Sequence, residues 1–226
     1  MNILRKEANL IARSSRHFIS AKHTIHIALA FDRNYLTPFY VVITSVFRNN
    51  PESLIHFHVI SPDLTASERG DICSYISVNE GVISFYKVSE KDIQGMVIPE
   101  KSYFTIATYY RLFFPSLIPA RYEKVLYLDT DVIINGELSS LYNTDLLGMP
   151  VGVVVEESGA KSRPDLGIYD EYVYFNSGVM LMNIAEWNRQ GITEKAIRFI
   201  HEHPEKIRWV DQDALNVVLQ KKLLQA

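Results

Sequence analysis

The sequence has few of the features that mark secreted, membrane-spanning or nucleic-acid-binding proteins. A single cysteine, Cys73, in 226 residues excludes an intrachain disulfide and is typical of a reducing compartment. The formal net charge of −3 provides no overall positive field to attract nucleic acid. The chain contains no apolar run long enough to cross a bilayer, and its first residues lack the order of a signal peptide. We therefore predict a soluble, cytoplasmic protein that does not bind nucleic acid.

From Thr24 onward, apolar strand-like segments alternate with helical ones. With 47% hydrophobic and 22% charged residues, the composition is that of an ordinary globular protein. The alternation predicts an α/β fold over residues 25–226, with a mainly parallel central sheet and helices on both faces. The predicted strands cover residues 24–31, 53–61, 81–88, 124–129, 149–157 and 174–184. The predicted helices cover residues 35–50, 64–78, 104–119, 185–206 and 210–226. Thr65 and Glu68 have the spacing of a capping box.

Two segments fall outside this pattern. Residues 1–24 carry five basic side chains and one acid, Glu7. We interpret them as a loosely docked basic extension; the alternative is an amphipathic helix that makes peripheral contact with an anionic membrane surface. Residues 158–172 are rich in Gly, Pro, Ser and charge, and their length predicts a lid or binding loop.

A pair of aspartates follows the predicted strand 124–129, in the stretch KVLYLDTDVIINGEL. In extended geometry Asp129 and Asp131 project to the same side, where two like charges repel unless a cation lies between them. Hard oxygen ligands suit Mg²⁺ or Mn²⁺, often together with substrate phosphates. The spacing indicates a metal-dependent enzyme that acts on a nucleotide diphosphate compound. The alternative is a simple turn in which Asp129 accepts backbone hydrogen bonds. Asp32 also follows a strand, so we expect it at the same edge of the sheet.

Five segments occur in a distinctive order: ALAFDRNYLTPFYVVITSVFRNNP, TIATYYRLFFPSLIP, YEKVLYLDTDVIINGELSSLYNTDL, EYVYFNSGVMLMNIAEWNRQGI and WVDQDALNVVL. Together, from Ile25 to Leu219, they closely resemble glycosyltransferase family 8, which holds the bacterial lipopolysaccharide glucosyl- and galactosyltransferases and the glycogenins. The resemblance implies a GT-A fold, Mn²⁺ (or Mg²⁺) as cofactor, and UDP-glucose or UDP-galactose as donor. It also implies a glycan or lipopolysaccharide acceptor and retention of the anomeric configuration.

The resemblance assigns the uridine of the donor to Ala30, Asp32, Asn34 and Tyr35. Asp32 would accept a hydrogen bond from the uracil N–H, and the ring of Tyr35 would stack on the base. Their residue types also suit a strand-to-helix turn, which is the alternative for Asp32 and Asn34. Arg111 would reach the donor sugar or the first aspartate of the pair; the alternative is a buried structural ion pair.

The remaining assignments concern the metal and the transferred sugar. By resemblance Asp129 and Asp131 would bind the metal, and Asp129 would also contact a sugar or ribose hydroxyl. Asn176 would face the donor sugar, Asp211 would bind sugar hydroxyls, and Gln212 would lie opposite the leaving group. As alternatives, Asn176 suits a turn and Asp211 could cap the last helix.

Retention of configuration raises a question about the nucleophile. Retaining glycosidases use a carboxylate beneath the sugar, whereas Gln212 carries an amide, which is a poor nucleophile. We therefore expect front-face transfer, in which the acceptor attacks on the side from which UDP leaves.

The sequence departs from the family pattern at one point. The family has a later histidine that binds the metal, whereas all seven histidines here precede Asp211. We expect that the domain lacks its C-terminal segment, so that the chain is a fragment or a catalytically impaired nucleotide-sugar-binding protein. A nucleotidyltransferase is disfavoured, because no Gly-rich loop follows the first strand. We interpret His56 and His58 as residues satisfied on a sheet face; sharing a metal is the alternative.

Overall fold

The computed structural model describes residues 23–100, 102–155, 163–169, 174–220 and 222–225. Its centre is a seven-stranded sheet with the strand order β3-β2-β1-β4-β6-β5-β7. The strands are β1 (Thr24–Ala30), β2 (Leu54–Ile60), β3 (Val82–Tyr86), β4 (Lys124–Leu128), β5 (Val151–Val155), β6 (Phe175–Asn183) and β7 (Leu223–Gln225).

The sheet is mainly parallel, as predicted. Parallel pairs join β1 to β2, β1 to β4, β2 to β3 and β5 to β7. The exception is β6, which runs antiparallel between β4 and β5. Leu128, the last residue of β4, pairs with Val179 in the middle of β6, so the first residues of β6 extend beyond the end of β4. The reversal therefore brings the first residues of β6 to the edge where β1 and β4 end.

Helices cover both faces of the sheet. They are α1 (Leu36–Asn49), α2 (Ala66–Val78), α3 (Glu90–Ile93), α4 (Phe114–Leu117), α5 (Ser139–Tyr142), α6 (Ile184–Arg189), α7 (Ile192–Glu202) and α8 (Val210–Val218). Successive side chains of β1 alternate between the two faces: Ala28 packs into one hydrophobic cluster, and Ile27 and Leu29 pack into the other. None of the described helices combines the length and apolar character needed to cross a membrane.

The predicted capping box at the start of α2 is confirmed. The backbone N–H of Glu68 donates to the Thr65 hydroxyl oxygen at 3.2 Å, and the Glu68 carboxylate accepts from the Thr65 N–H at 2.8 Å. A capping box satisfies two of the otherwise unpaired backbone donors at a helix N-terminus. The sequence signal therefore fixes this helix start.

The prediction of a continuous α-helix over 104–119 is wrong. Residues 106–113 form a 3₁₀ helix that leads into α4. Pro115 lies in the first turn of α4, where its missing N–H is tolerated. An α-helix that continued from the preceding turn would lose the hydrogen bond to the Arg111 carbonyl and clash with the proline ring.

Two further helix predictions need correction. The predicted helix 185–206 is two helices, α6 and α7, separated at Gly191, whose φ is +61°. Glycine adopts this left-handed conformation without the steric cost that other residues have. Gly191 can therefore end one helix before the next begins. The predicted helix 210–226 ends at Val218, and the chain then adds β7 to the sheet beside β5.

Two predictions fall largely outside the described residues. Of the basic extension 1–24, only His23 and Thr24 are described, and Thr24 already begins β1. Of the predicted loop 158–172, residues 163–169 are described. They contain a short 3₁₀ helix, Pro164–Leu166.

Candidate active site

Polar side chains from separate parts of the chain meet at the edge of the sheet where β1 and β4 end. Two adjoining cavities, of about 110 Å³ and about 390 Å³, lie here. The residues that line both are Tyr103, Phe104, Thr108, Arg111, Asp129 and Asp131. The structure thus brings the aspartate pair together with Arg111, as the sequence predicts.

The smaller cavity is lined by three of the four residues expected to hold a uridine: Ala30, Asp32 and Tyr35. The fourth, Asn34, is exposed, and its backbone N–H donates to the Asp32 carboxylate at 2.9 Å. The Thr105 hydroxyl donates to the other oxygen of Asp32 at 2.8 Å. Asp32 therefore shapes the turn after β1, and its carboxylate retains lone pairs for a further donor.

Asp129 and Asp131 face the same space, since both line both cavities. Oδ1 of Asp129 accepts from the Tyr127 hydroxyl at 2.8 Å. Oδ2 lies against the backbone of β6: a Cβ added to Gly178 would come within 2.6 Å of it. Only glycine lets β6 pass this close to the carboxylate. The side chain of Asp131 is exposed.

Arg111 is buried and links the parts of the site. Its guanidinium lies 3.0 Å from Asp129 Oδ1 and 3.2 Å from Asp211 Oδ2. It also donates to the Ser177 carbonyl at 2.7 Å and lies over the Tyr127 ring. Burial alone would lower the pKa of Arg111, but the neighbouring aspartates raise it overall, so the side chain stays charged. The predicted ion pair with Asp129 is confirmed, and Arg111 also lines both cavities.

Asp211 lies in the wall of the larger cavity with 1% of its surface exposed. Apart from the ion pair with Arg111, neither carboxylate oxygen has a hydrogen bond of normal geometry among the described residues. Burial raises the pKa of Asp211 to about 7, although the charge of Arg111 acts in the opposite direction. Buried acceptors of this kind are almost always satisfied in native proteins, so the carboxylate lacks a partner that a bound ligand could supply.

The backbone beside this carboxylate is strained. Val210 has a φ of +43°, which is rare for a β-branched residue. Strain of this kind clusters at functional sites, where the surrounding structure enforces it.

The start of β6 is joined to α8 through side-chain amides. Oε1 of Gln212 accepts from the Ser177 N–H at 3.0 Å, and Oδ1 of Asn176 accepts from the Gly178 N–H at 2.7 Å. Asn176 and Gln212 both line the larger cavity. An amide oxygen has two lone pairs, so Gln212 can also face a bound molecule.

The alternative role of Asp211, capping the last helix, is wrong. Helix α8 begins after Trp209 without a side-chain cap on its first turn. Instead, Asp213 Oδ2 accepts from the backbone N–H groups of Arg208 and Trp209, each at 2.7 Å. This leaves Asp211 free of a capping role.

Sequence reasoning missed the buried pair beneath the larger cavity. Asp213 forms an ion pair with Arg163 and accepts from the Tyr174 hydroxyl at 2.8 Å. Only the acidic first turn of α8 pointed to Asp213, and nothing in the sequence linked it to Arg163. The pair fixes the start of α8, and with it the position of Asp211.

The aromatic residues of the segment 102–114 are mostly buried, as their density in the sequence predicts. Tyr103 is the exception, because it is 78% exposed and lines both cavities. Phe104 lies beside it, with ring centroids 4.9 Å apart, and also contacts Trp209. These rings form an open wall of the site.

The charges at the site fit a divalent cation. The described residues that line the cavities include four aspartates, namely Asp32, Asp129, Asp131 and Asp211, but one cation, Arg111. The Arg111 charge is shared between Asp129 and Asp211, so Asp131 adds uncompensated charge beside Asp129. Carboxylate oxygens are the ligands that Mn²⁺ and Mg²⁺ prefer. None of the described histidines lines either cavity.

Comparison with known proteins yields close relatives of matching architecture. The chain is 27% identical over 206 residues to lipopolysaccharide 1,2-glucosyltransferase of Escherichia coli, an alignment that covers 88% of this chain and 60% of the relative. It is 32% identical over 201 residues to general stress protein A of Bacillus subtilis (strain 168), covering 86% and 69%.

A solved structure shares the fold. The galactosyltransferase LgtC, in complex with donor and acceptor sugar analogs, superimposes with a TM-score of 0.80 at 29% identity. The match covers 89% of this chain and 73% of that one. The fold is thus of the GT-A type.

The profile of the family described as "Glycosyl transferase family 8" matches residues 26–226. This match takes in every site residue described above, from Ala30 to Gln212. The chain belongs to glycosyl transferase family 8.

Proposed function

We propose that this chain forms the donor- and metal-binding part of a retaining hexosyltransferase, which moves glucose or galactose from a UDP-sugar to a glycan or lipopolysaccharide acceptor. The observation that carries the proposal is the Asp211 carboxylate. It is buried, it lines the cavity that Asp129 and Asp131 also line, and beyond the Arg111 ion pair neither oxygen accepts a hydrogen bond of normal geometry from the described residues. Sugar hydroxyl groups would supply the missing donors.

The two cavities suit the two ends of a nucleotide sugar. The smaller one offers the Tyr35 ring for stacking and the Asp32 carboxylate for the uracil N–H. The larger one offers Asn176, Asp211 and Gln212 to the hexose. Asp129 and Asp131, which line both, would hold Mn²⁺ or Mg²⁺ beside the diphosphate. When bound, the ion would neutralise the charge of the departing UDP.

The residues around the hexose support front-face transfer. Gln212 presents an amide, which cannot act as the carboxylate nucleophile of a retaining glycosidase. Arg111 holds Asp129 and Asp211 in place, so that Asp211 can orient the sugar hydroxyls. The acceptor hydroxyl then attacks on the face from which UDP leaves, and its proton passes to the leaving phosphate oxygen.

The acceptor and location follow from the relatives and from composition. A glycan acceptor is supported by the names of the glucosyltransferase and galactosyltransferase relatives. The single cysteine favours the cytoplasm, and the basic segment 1–24 favours peripheral contact with an anionic membrane surface.

Calorimetric titration of the 226-residue chain with UDP, in the presence and absence of MnCl₂, tests the proposal. We expect weak UDP binding that requires Mn²⁺ and is lost in Asp131→Asn. Asp71→Asn, which alters an exposed aspartate on α2, is the matched control and should bind as the unaltered chain does. UDP binding that is indifferent to Mn²⁺ and to Asp131→Asn would contradict the proposal.

A second candidate is nucleotide-sugar binding without transfer. It is favoured by the lining of the two cavities, which includes none of the described histidines. The chain spans about 60% of the Escherichia coli relative. Release of UDP from UDP-glucose or UDP-galactose in the presence of Mn²⁺ separates the two functions. A pure binding protein releases none, whereas a transferase releases UDP slowly to water.

A further inference from the structure

Three histidines converge on one face of the sheet, away from the site described above. His26 lies on β1 and directly opposite His56 of β2, and His58 is two residues further along β2. One ring nitrogen of each lies within 4.8 Å of one ring nitrogen of both others. We propose that this histidine cluster (His26, His56 and His58) is a second metal site, selective for zinc or a similar borderline transition ion.

The geometry is close to that of a three-histidine zinc site. Zn²⁺ binds imidazole nitrogen at about 2.0–2.1 Å, so the ligand nitrogens around one ion lie roughly 3.3 Å apart. Nδ1 of His26 is already 3.0 Å from Nε2 of His58. The His56 nitrogen lies within 4.8 Å of the other two and would have to move closer to complete the set, with water in the fourth position. Imidazole nitrogens suit Zn²⁺, whereas the carboxylates of the first site suit Mn²⁺ or Mg²⁺.

In His56 and His58, the second ring nitrogen has a hydrogen-bonding partner of the kind that orients metal ligands. Nδ1 of His58 lies 2.8 Å from the Tyr86 hydroxyl, which leaves Nε2 directed at His26. Nε2 of His56 lies 2.9 Å from the Ser84 hydroxyl, which leaves Nδ1 for an ion. Such outer contacts fix the tautomer and the orientation of the ring.

The surroundings keep the rings neutral and close them off on one side. Burial lowers the pKa of His26 and His56 to about 4, so protons do not compete for these nitrogens at neutral pH. Tyr122 packs on His26 with ring centroids 4.1 Å apart. Arg121 is the nearby cation that opposes metal binding, but it is exposed and its charge is screened by water.

The cluster is independent of the donor site. His26 precedes Asp32 by six residues along β1, which is roughly 20 Å of extended chain. Hydrogen bonds between His26 and His58 and to Ser84 and Tyr86 satisfy the rings on the sheet face, as the sequence analysis expects. The convergence of one nitrogen from each of the three rings is the additional feature that a metal ion would use.

Titration of metal-free protein with ZnCl₂ in excess Mg²⁺, which occupies the carboxylate site, tests the proposal. We expect one zinc ion per chain, and Co²⁺ in its place should show the absorption bands of tetrahedral coordination. His56→Gln, at a half-buried ligand, should weaken zinc binding more than ~100-fold. His201→Gln is the matched control, because His201 is exposed and contacts the Gln94 carbonyl instead. No zinc binding, or equal binding by His56→Gln, would overturn the proposal.

Two further measurements remain informative if His56→Gln fails to fold. Tyr86→Phe removes the hydroxyl that orients His58 and should weaken zinc binding ~10–100-fold. X-ray absorption of zinc in the unaltered chain should show imidazole scattering; a shell of oxygen ligands alone would refute the site. All these readouts concern zinc and would stand even if UDP did not bind.

Discussion

Nε of Arg111 lies 3.2 Å from Oδ2 of Asp211, and both side chains are almost fully buried. Removing one partner of a buried ion pair leaves the other charge uncompensated. We expect Arg111→Gln to lower the free energy of unfolding by about 3–5 kcal/mol. Urea denaturation followed by circular dichroism measures this loss.

The double variant Arg111→Gln/Asp211→Asn separates the pair from its surroundings. It should recover part of the stability lost in Arg111→Gln, because no unpaired Asp211 charge remains. Arg189→Gln, which breaks an exposed ion pair with Glu186, is the control and should leave the urea midpoint unchanged. Strictly additive losses in the double variant would show that the two side chains do not interact.

Gly178→Ala tests whether the close passage of β6 positions the metal ligand. The new methyl group would lie 2.6 Å from Asp129 Oδ2 and must displace that carboxylate. We expect Mn²⁺ affinity in the presence of UDP to fall ~10–100-fold, the range seen when ligand positioning is disturbed. Calorimetry gives the affinity, and a thermal melt checks that the protein is folded.

Gly70→Ala is the matched control for this substitution. Gly70 lies within α2 and has no heavy atom near the position of an added Cβ. Alanine there should stabilise the fold by about 0.5–1 kcal/mol and leave Mn²⁺ affinity unchanged. If both variants lose affinity equally, the close contact at Gly178 is not the cause.

Stability should fall as pH is lowered from about 6.5 to about 4. The pKa values of His26 and His56, about 4 in the folded state, and of His58, about 2, lie below their unfolded value, mainly because of burial. The unfolded chain therefore binds more protons in this range, which favours unfolding. Each such proton lowers the unfolding free energy by about 1.4 kcal/mol per pH unit. Urea midpoints at about pH 5 and about pH 7, in the presence of a chelator, measure the slope.

Asp211 acts in the opposite direction over the same range. Its pKa, raised by burial to about 7, makes the folded state bind a proton that the unfolded chain does not. Asp211→Asn should therefore steepen the fall in stability, and His56→Gln should make it shallower. If neither variant changes the slope of the profile, both assignments are contradicted.

Tyr35→Ala tests the stacking role of the ring in the smaller cavity. Loss of a base-stacking aromatic costs about 1–3 kcal/mol in nucleotide binding, so UDP affinity should fall at least ~5-fold. Stability should hardly change, because Tyr35 is 36% exposed. Tyr35→Phe keeps the ring and should bind UDP almost normally. Equal loss in both variants would point to the hydroxyl group instead.

Local patterns in the sequence were enough to predict part of this architecture. The capping box at Thr65 and the strand that ends before Asp129 both depend on neighbours within a few residues. Asp129 and Asp131 line the same cavities although a turn, and not extended chain, joins them. The prediction of one helix over 104–119 was wrong because it gave more weight to the density of aromatic residues than to Pro115. Such errors arise where two local signals conflict.

Contacts between distant segments could not be predicted. Arg163 and Asp213 are 50 residues apart, and the sequence around each residue gives no indication that the two form a pair. The antiparallel direction of β6 is also invisible in its composition, because a strand buried on both faces reads the same in either direction. The family resemblance supplied what local physics could not, namely that Arg111, Asn176 and Asp211 share one site.

Because β6 runs antiparallel to β4, the geometry of the site depends on the register between these two strands. Leu128 faces Val179 in that ladder, and the Asp129 N–H continues it to the Gly178 carbonyl at 2.8 Å. Because strand side chains alternate with a period of two, a slip of one residue in the pairing would change the face of the sheet on which each side chain lies. The Ser177 hydroxyl and the Asn176 amide would each leave the face that they now occupy. Correct pairing of these strands during folding is therefore also the step that brings the residues of the candidate site together.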